Sequence, residues 1–121
     1  MDMGKMNKSE KSKVTARILI EIGAINFSLL SPFKLSSGFL SPSYIDCRKI
    51  IAYPSAFKSI TDLMISTIKS DMISKAPNFI IGGETAGIPF AAVIAEKMRL
   101  PLSYVRKKSK DHGKNKLIEG D

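Results

Sequence analysis

Residues 78–105 read NFIIGGETAGIPFAAVIAEKMRLPLSYV, and this stretch decides the fold. Asn78 to Ile81 is a short apolar run that ends at two glycines, which predicts a buried strand. From Gly87 to Leu100 a proline comes early and apolar residues recur at helical spacing, so a helix follows. Pro101 to Val105 predicts a second strand. A strand, a helix and a strand over this length predict parallel neighbours joined by a crossover, and therefore an α/β fold with a parallel sheet core.

The segment Gly82 to Gly87 connects the first strand to the helix, beyond the carboxyl end of the strand, where ligands bind in open α/β sheets. Glycines let backbone amides approach an anion, and a helix N-terminus adds unpaired N–H groups with partial positive charge. The segment has neither the lysine of a P-loop nor the spacing of a dinucleotide fingerprint, so a tight turn without a ligand remains an equal alternative. Glu84 argues against an anion directly beside it, unless its side chain points away or meets a magnesium ion.

A dense group of cations follows the second strand: five of the seven residues 106–112 are basic, namely Arg106, Lys107, Lys108, Lys110 and His112. Such cations repel one another, so they predict a solvated loop unless an anion gathers them. Phosphate or pyrophosphate suits several ammonium and guanidinium donors converging on clustered oxygens. A solvated basic loop without a ligand is the alternative. This loop also starts at the carboxyl end of a strand, and two such loops on one sheet edge make a binding site more plausible than either alone.

The rest of the chain predicts one helix, a pair of short strands and a second helix. Residues 1–11 are polar and predict a flexible tail. A helix is expected from Ser12, which could cap it, to about Gly23. Between Ser31 and Cys47, short apolar pieces alternate with Ser, Gly and Pro, which predicts two strands around a turn. Pro54 suits the first turn of a helix whose apolar face continues to about Lys75.

The composition limits the class of protein. With 121 residues, 44% of them apolar and 25% charged, the chain suits one globular domain. The net charge of +8 is concentrated at the ends, and residues 104–121 carry six Lys or Arg against three acids, without the interleaved stacking aromatics of a nucleic-acid reader. The lone Cys47 predicts a small half-buried residue in a reducing cytoplasm. No stretch matches an export signal or a membrane span.

Two stretches of the chain resemble orotate phosphoribosyltransferases. GGETAGIPFAAVIAEKMRLPLSYVRKKSKDHGKNKLIEG (82–120) is similar to their central region, and SSGFLSPSYIDCR (36–48) is similar to their amino-terminal hood. The resemblance implies an incomplete type I phosphoribosyltransferase-like fold, with an amino-terminal helix and strand hood, in which residues 12–121 form the amino-terminal part of a single domain whose carboxyl half is absent. It also implies conversion of orotate and 5-phosphoribosyl-1-pyrophosphate (PRPP) to orotidine monophosphate and pyrophosphate, in the synthesis of UMP.

The resemblance also implies roles for individual residues. Lys110 would act as the catalytic cation on the leaving pyrophosphate, and magnesium would bind mainly through the substrate phosphates. A homodimer is implied, with the basic loop acting across the interface. The implied PRPP contacts are Arg106, Lys107, Lys110 and His112; the pyrophosphate-side loop is Glu84, Thr85, Ala86 and Gly87; the orotate side is Ser36, Ser37, Gly38 and Tyr44. Lys108 is expected to be a bystander.

Several alternatives remain open at this point. Ser36 and Ala86 stand where some members carry lysine, so the contacts of those lysines do not transfer. On the orotate side, a hairpin turn with a packed aromatic is an equal alternative. Asp46 and Arg48 fit the family pattern but could simply pair with each other or cap the fold. The chain as a whole could instead be a basic nucleic-acid-binding module or a non-catalytic phosphoribosyltransferase-like regulator. A sheet with few strands is expected to leave apolar surface uncovered.

Overall fold

The structure, a computed structural model, describes residues 3–72, 75–108 and 117–120. The chain divides into two compact units, Met1–Ser59 and Ile60–Asp121, and the boundary falls inside a helix. Within the described residues, no helix has both the length and the apolar character that crossing a membrane requires.

The chain alternates helices with short strands. The bounds, in chain order, are a 3₁₀ turn Met3–Lys5, α1 Lys8–Glu21, β1 Ile25–Phe27, β2 Phe33–Lys34, β3 Leu40–Ser41, β4 Ser43–Ile45, a 3₁₀ helix Cys47–Ala52, α2 Pro54–Asp71, β5 Ile80–Gly83, α3 Gly87–Met98, β6 Leu102–Val105 and β7 Ile118–Glu119.

The first helix begins with a complete capping box. The side chain of Asn7 accepts a hydrogen bond from the backbone N–H of Glu10 at 2.9 Å, and the Glu10 carboxylate accepts one from the Asn7 backbone at 2.8 Å. Two N–H groups that a helix start leaves without partners are thereby satisfied. The predicted cap at Ser12 is therefore wrong, and residues 8–11 of the predicted tail are helical.

The first unit contains two antiparallel strand pairs after α1. β1 pairs with β4, so that Asn26 lies opposite Tyr44, and β2 pairs with β3. The β2–β3 hairpin turns through Gly38, whose φ of +89° is a conformation that residues with a side chain rarely adopt. These are the two strands predicted around the Ser-Gly turn. β1, β4 and the 3₁₀ helix after β4 were not predicted.

The second unit is built on a three-stranded sheet in the order β5-β6-β7. β5 and β6 are parallel, with Ile80 opposite Leu102, and β7 returns antiparallel beside β6. α3 packs on β5 and β6 and buries Ala91, Ile94 and Ala95. The predicted strand, helix and parallel strand are confirmed, and β7 is an addition.

A lysine ties α3 to the later part of α2. Lys97 Nζ donates to Thr61 Oγ1 at 2.9 Å and to Asp62 Oδ1 at 2.8 Å. Thr61 is fully buried, so the ammonium supplies a hydrogen-bond partner to a hydroxyl that water cannot reach. This contact links the two helices by polar bonds, next in sequence to Ile60 and Leu63, which are both buried.

Other predictions need correction. α2 ends at Asp71 rather than near Lys75, and Met64 on its predicted apolar face is 39% exposed because the buried stripe is narrow and runs through Ile60 and Leu63. Cys47 is exposed rather than half-buried, because it begins the 3₁₀ helix whose buried residue is Ile50. Apolar surface is uncovered as expected, for example at Leu30 in the first unit and at Ile81 of β5 in the second.

The packing of α3 on β5 gives a test with a built-in control. A Cβ added at Gly82 would lie 2.8 Å from the Cβ of Ala91 and 3.1 Å from the carbonyl oxygen of Gly87, whereas one added at Gly83 would meet nothing within 4 Å. We expect Gly82→Ala to lower the free energy of unfolding by about 1 to 3 kcal/mol through overpacking. Gly83→Ala should change it by about 0.5 kcal/mol or less. Urea unfolding followed by circular dichroism measures both, and equal effects of the two variants would contradict the packing described.

Candidate functional site

The corner between β5 and α3 lies at the carboxyl edge of the parallel strands. β5 ends at Gly83, the Glu84–Thr85 peptide bond is cis, and α3 begins at Gly87. The N-cap position is Ala86, whose side chain has no acceptor, so it cannot cap the first N–H groups of α3. The corner therefore presents backbone donors and the positive end of a 12-residue helix, an arrangement that suits an anion.

Glu84 connects this corner to the start of the basic loop. Its backbone N–H donates to the carbonyl of Val105 at 2.8 Å, and its Oε2 accepts from the backbone N–H of Lys107 at 2.7 Å. The carboxylate is thus engaged by the neighbouring loop. The sequence left open whether the side chain of Glu84 faces an anion. In this structure it accepts a hydrogen bond from the backbone of Lys107 in the basic loop.

Arg106 lies between Val105 and Lys107, which both contact Glu84. On its other side it contacts Leu117 and Glu119, at and just before β7. Its backbone N–H donates to the carbonyl of Leu117 at 2.7 Å, and its Nη1 lies 3.5 Å from Oε1 of Glu119 on β7. The guanidinium is mostly buried, and its Nε has no hydrogen-bond partner in the described part of the chain. A buried N–H without a hydrogen-bond partner is unfavourable, so the guanidinium still has a donor with which it can bind an anionic ligand.

The structure describes only part of the predicted basic cluster. Arg106, Lys107 and Lys108 lie at the end of β6, and the last two are exposed. Lys110 and His112 lie outside the described residues. The residues predicted for the pyrophosphate-side loop, Glu84, Thr85, Ala86 and Gly87, form the corner between β5 and α3. Among residues 3–72, 75–108 and 117–120, no three His, Cys, Asp or Glu side chains cluster closely enough to hold a metal ion.

The first unit carries an open depression of about 550 Å³. Its wall includes the rings of Phe33 and Tyr44, whose centroids are 5.9 Å apart at an interplanar angle of 38°. Ser36 and Ser37 lie at the turn of the β2–β3 hairpin and line the depression, while Gly38 completes the turn and is not part of the lining. The lining residues are Phe33, Lys34, Leu35, Ser36, Ser37 and Tyr44.

An ion pair lies beside Tyr44. Arg48 Nε donates to Asp46 Oδ1 at 2.9 Å, and Arg48 Nη2 donates to the Tyr44 hydroxyl at 3.3 Å. Asp46 also caps the following 3₁₀ helix by accepting from the Arg48 backbone. The hydrogen bond from the Arg48 side chain holds the pKa of Asp46 below its ordinary value of 3.8. The pairing of Asp46 with Arg48, one of the two alternatives, is confirmed, and it adds a contact that orients Tyr44.

Two residues of potential importance were not predicted from the sequence. Lys34 is the cation among the six residues that line the depression, and Glu119 is the carboxylate paired with Arg106. Some orotate phosphoribosyltransferases carry lysine at the position of Ser36, and Lys34 lies only two positions before it. The sequence therefore contained a signal that could have indicated Lys34 as a site residue. Glu119 offered none, because β7 is only two residues long.

Comparisons with known proteins confirm the resemblance. No protein-family model matches the chain. A curated orotate phosphoribosyltransferase from Roseobacter denitrificans is 51% identical over 111 residues, which cover 92% of this chain and 49% of that protein. One from Cereibacter sphaeroides is 50% identical over 113 residues, with 93% and 49% covered. The chain therefore spans about half the length of the curated relatives it matches.

Solved structures agree with the sequence comparison. The orotate phosphoribosyltransferase of Aeropyrum pernix matches with a TM-score of 0.70 and 34% identity, over 88% of this chain and 57% of that one. The UMP synthase of Leishmania donovani matches with a TM-score of 0.69 and 28% identity, over 91% of this chain and 22% of that one. The α/β fold predicted from the sequence, similar to type I phosphoribosyltransferases, is thus confirmed.

The pair of Asp46 and Arg48 predicts a pH dependence. Because the pKa of Asp46 is lowered in the folded chain, the pair forms above the ordinary pKa of 3.8 and is lost as the pH falls through the lower folded value. We expect Arg48→Met to raise the pKa of Asp46 towards 3.8, measured by the titration of its ¹³Cγ shift. Tyr44→Phe removes only the 3.3 Å contact to Arg48 and should leave that pKa nearly unchanged. An unchanged titration in Arg48→Met would contradict the assigned cause.

Proposed function

We propose that this homologue of orotate phosphoribosyltransferases contributes to the same reaction, the transfer of phosphoribose from PRPP to orotate, which yields orotidine monophosphate and pyrophosphate. One observation carries the proposal. The glycine-rich corner and the first residues of the basic loop meet at the carboxyl edge of β5 and β6, joined by the hydrogen bond between Glu84 and Lys107. A helix N-terminus and a run of cations at one sheet edge suit the phosphates of PRPP.

The depression of the first unit suits the base. Orotate is a planar ring with a carboxylate, and the depression combines the rings of Phe33 and Tyr44 with the hydroxyls of Ser36 and Ser37. Lys34 offers a cation to the carboxylate of orotate. On this proposal, Lys34 supplies positive charge that Ser36 does not.

The reaction requires positive charge beside the leaving pyrophosphate. When the bond between ribose and pyrophosphate breaks, negative charge grows on the leaving oxygens, and cations aimed there stabilise the transition state more than the ground state. We assign this role to Lys110, with Arg106, Lys107 and His112 as further contacts to PRPP. Magnesium bound through the substrate phosphates would neutralise part of their charge, in keeping with its preference for oxygen ligands.

The assembly and location follow from the same proposal. We propose a homodimer in which the basic loop of one subunit acts in the site of the other, and a cytoplasmic enzyme of UMP synthesis. A regulator of this fold would bind nucleotides without consuming orotate. A nucleic-acid-binding module would bind RNA with an affinity that falls steeply with salt and does not respond to pyrophosphate.

The central test joins residues 1–121 to the part of the Roseobacter denitrificans relative that the match does not cover. We expect this chimaera to convert orotate and PRPP to orotidine monophosphate, followed by the loss of orotate absorbance. Lys110→Ala should lower the rate by about 10²-fold or more, since it removes a cation from the developing charge. Lys108→Ala is the matched control from the same loop and should change the rate little.

Two outcomes would reject parts of this proposal. Equal effects of Lys110→Ala and Lys108→Ala would remove the role assigned to Lys110. Binding of nucleotides without orotate consumption, in a chimaera that folds, would favour the regulator.

The proposed orotate site in the depression of the first unit is tested separately, by measuring ligand binding to the 121-residue chain. We expect Lys34→Met to weaken orotate binding about tenfold, because it removes the cation that faces the carboxylate, and to leave the weaker binding of uracil, which has no carboxylate, unchanged. Lys13→Met, an exposed lysine of α1, is the control for lost charge. Nuclear magnetic resonance titration of the amides of residues 33–37 measures both ligands. Equal losses for orotate and uracil would exclude a carboxylate contact.

A further inference from the structure

Glu84 is an acid placed in the middle of an anion-binding corner. Like charges close together near a protein surface repel each other, so a carboxylate here would oppose a phosphate ligand. The structure gives the acid another task. Its carboxylate accepts from the backbone N–H of Lys107 at 2.7 Å, directly after Arg106, while the backbone N–H of the same residue donates to the carbonyl of Val105 at 2.8 Å, directly before Arg106.

The bond to Val105 closes the last pair of the parallel ladder, and the bond to Lys107 acts where the regular sheet has ended. The parallel ladder pairs Gly83 with Val105 as its last register, and beyond it the backbone of Lys107 has no strand partner on the β5 side. The carboxylate of Glu84 reaches past the end of the ladder and accepts that N–H. This hydrogen bond fixes the direction in which the chain leaves β6, and it requires an acceptor oxygen, which a carboxylate and a side-chain amide both have.

The opposite side of the same segment is fixed by β7. The Arg106 backbone donates to Leu117, and its guanidinium lies 3.5 Å from Glu119. Arg106 is therefore placed between a side-chain bond from the corner and a backbone bond from the return strand. Without the side chain of Glu84, the segment around Arg106 would be held only by its contacts with β7 and by the end of the parallel ladder.

We propose that Glu84 is a positioning residue for the pyrophosphate site, one that sets the start of the basic loop against the corner and does not itself contact the ligand. The proposal rests on the proposed function for the identity of the ligand. According to this proposal, the acceptor oxygen of Glu84 is needed to position the basic loop, whereas its negative charge is not. Glutamine keeps an acceptor oxygen without the charge, and alanine keeps neither.

The test compares Glu84→Ala and Glu84→Gln in the 121-residue chain, with Glu96→Ala as the control, an exposed acid of α3 in the same unit. The first measurement is amide hydrogen exchange at Lys107. We expect exchange to accelerate about tenfold in Glu84→Ala and to stay within about threefold of the original in Glu84→Gln. Glu96→Ala should leave it unchanged.

The second measurement is the affinity for inorganic pyrophosphate by calorimetric titration. We expect Glu84→Ala to weaken binding about fivefold to tenfold, even though it removes a negative charge, and Glu84→Gln to bind as tightly as the original chain or more tightly. Rescue by glutamine is the result that a general loss of folding would not produce.

The remaining outcomes overturn the proposal in distinguishable ways. Tighter pyrophosphate binding by Glu84→Ala would mean that the charge matters and the bond does not. Equal losses in alanine and glutamine variants would assign the effect to the charge. If the original chain binds no pyrophosphate while exchange at Lys107 still depends on residue 84, the proposed function fails and the bond is structural only.

Discussion

Parallel pairing of β5 with β6 is the constraint on which the candidate site depends. Strands that run in the same direction deliver the segments that follow them to one edge, so a corner at Glu84 and a basic run at Arg106, which are 22 positions apart in sequence, become neighbours. An antiparallel pair would have sent them to opposite edges. The crossover helix α3 makes the parallel arrangement possible, and Gly82 permits its close approach to β5.

The sequence predicted those parts of the fold that carry a periodic or positional signal. The apolar run before Gly82, the helical spacing after Gly87 and the run after Pro101 each identified an element to within a few residues, because burial of one face imposes its own period. β1 and β7 are three and two residues long, too short for any period, and exist because distant strands offer backbone partners. The start of α1 was missed although its signal was present, since the capping box of Asn7 and Glu10 lies in a polar stretch that was interpreted as a tail.

Some features of the candidate site could likewise be predicted from the sequence, and others could not. Residue types indicated which loops could bind an anion, and the family resemblance supplied roles for their members. The sequence could not indicate what Glu84 does, because that depends on the distance between a carboxylate and a backbone N–H 23 positions away. Nor could it reveal that Phe33 and Tyr44, from different strand pairs, form one aromatic wall with Lys34 beside it. Contacts across different strand pairs are decided by register, which residue types alone do not specify.

The balance of charge at the sheet edge explains why the basic loop is so dense. The corner itself contributes an acid and no lysine, since Ala86 stands where some orotate phosphoribosyltransferases carry one. On the proposed function, attraction for a polyphosphate therefore comes from the loop and exceeds the repulsion from Glu84. Several cations within a few residues meet that requirement, whereas one ion pair at a surface contributes about 1 kcal/mol or less. On the same proposal, the hydrogen bond from the Lys107 N–H offsets part of the negative charge of Glu84, so the contact that positions the start of the basic loop also reduces this repulsion.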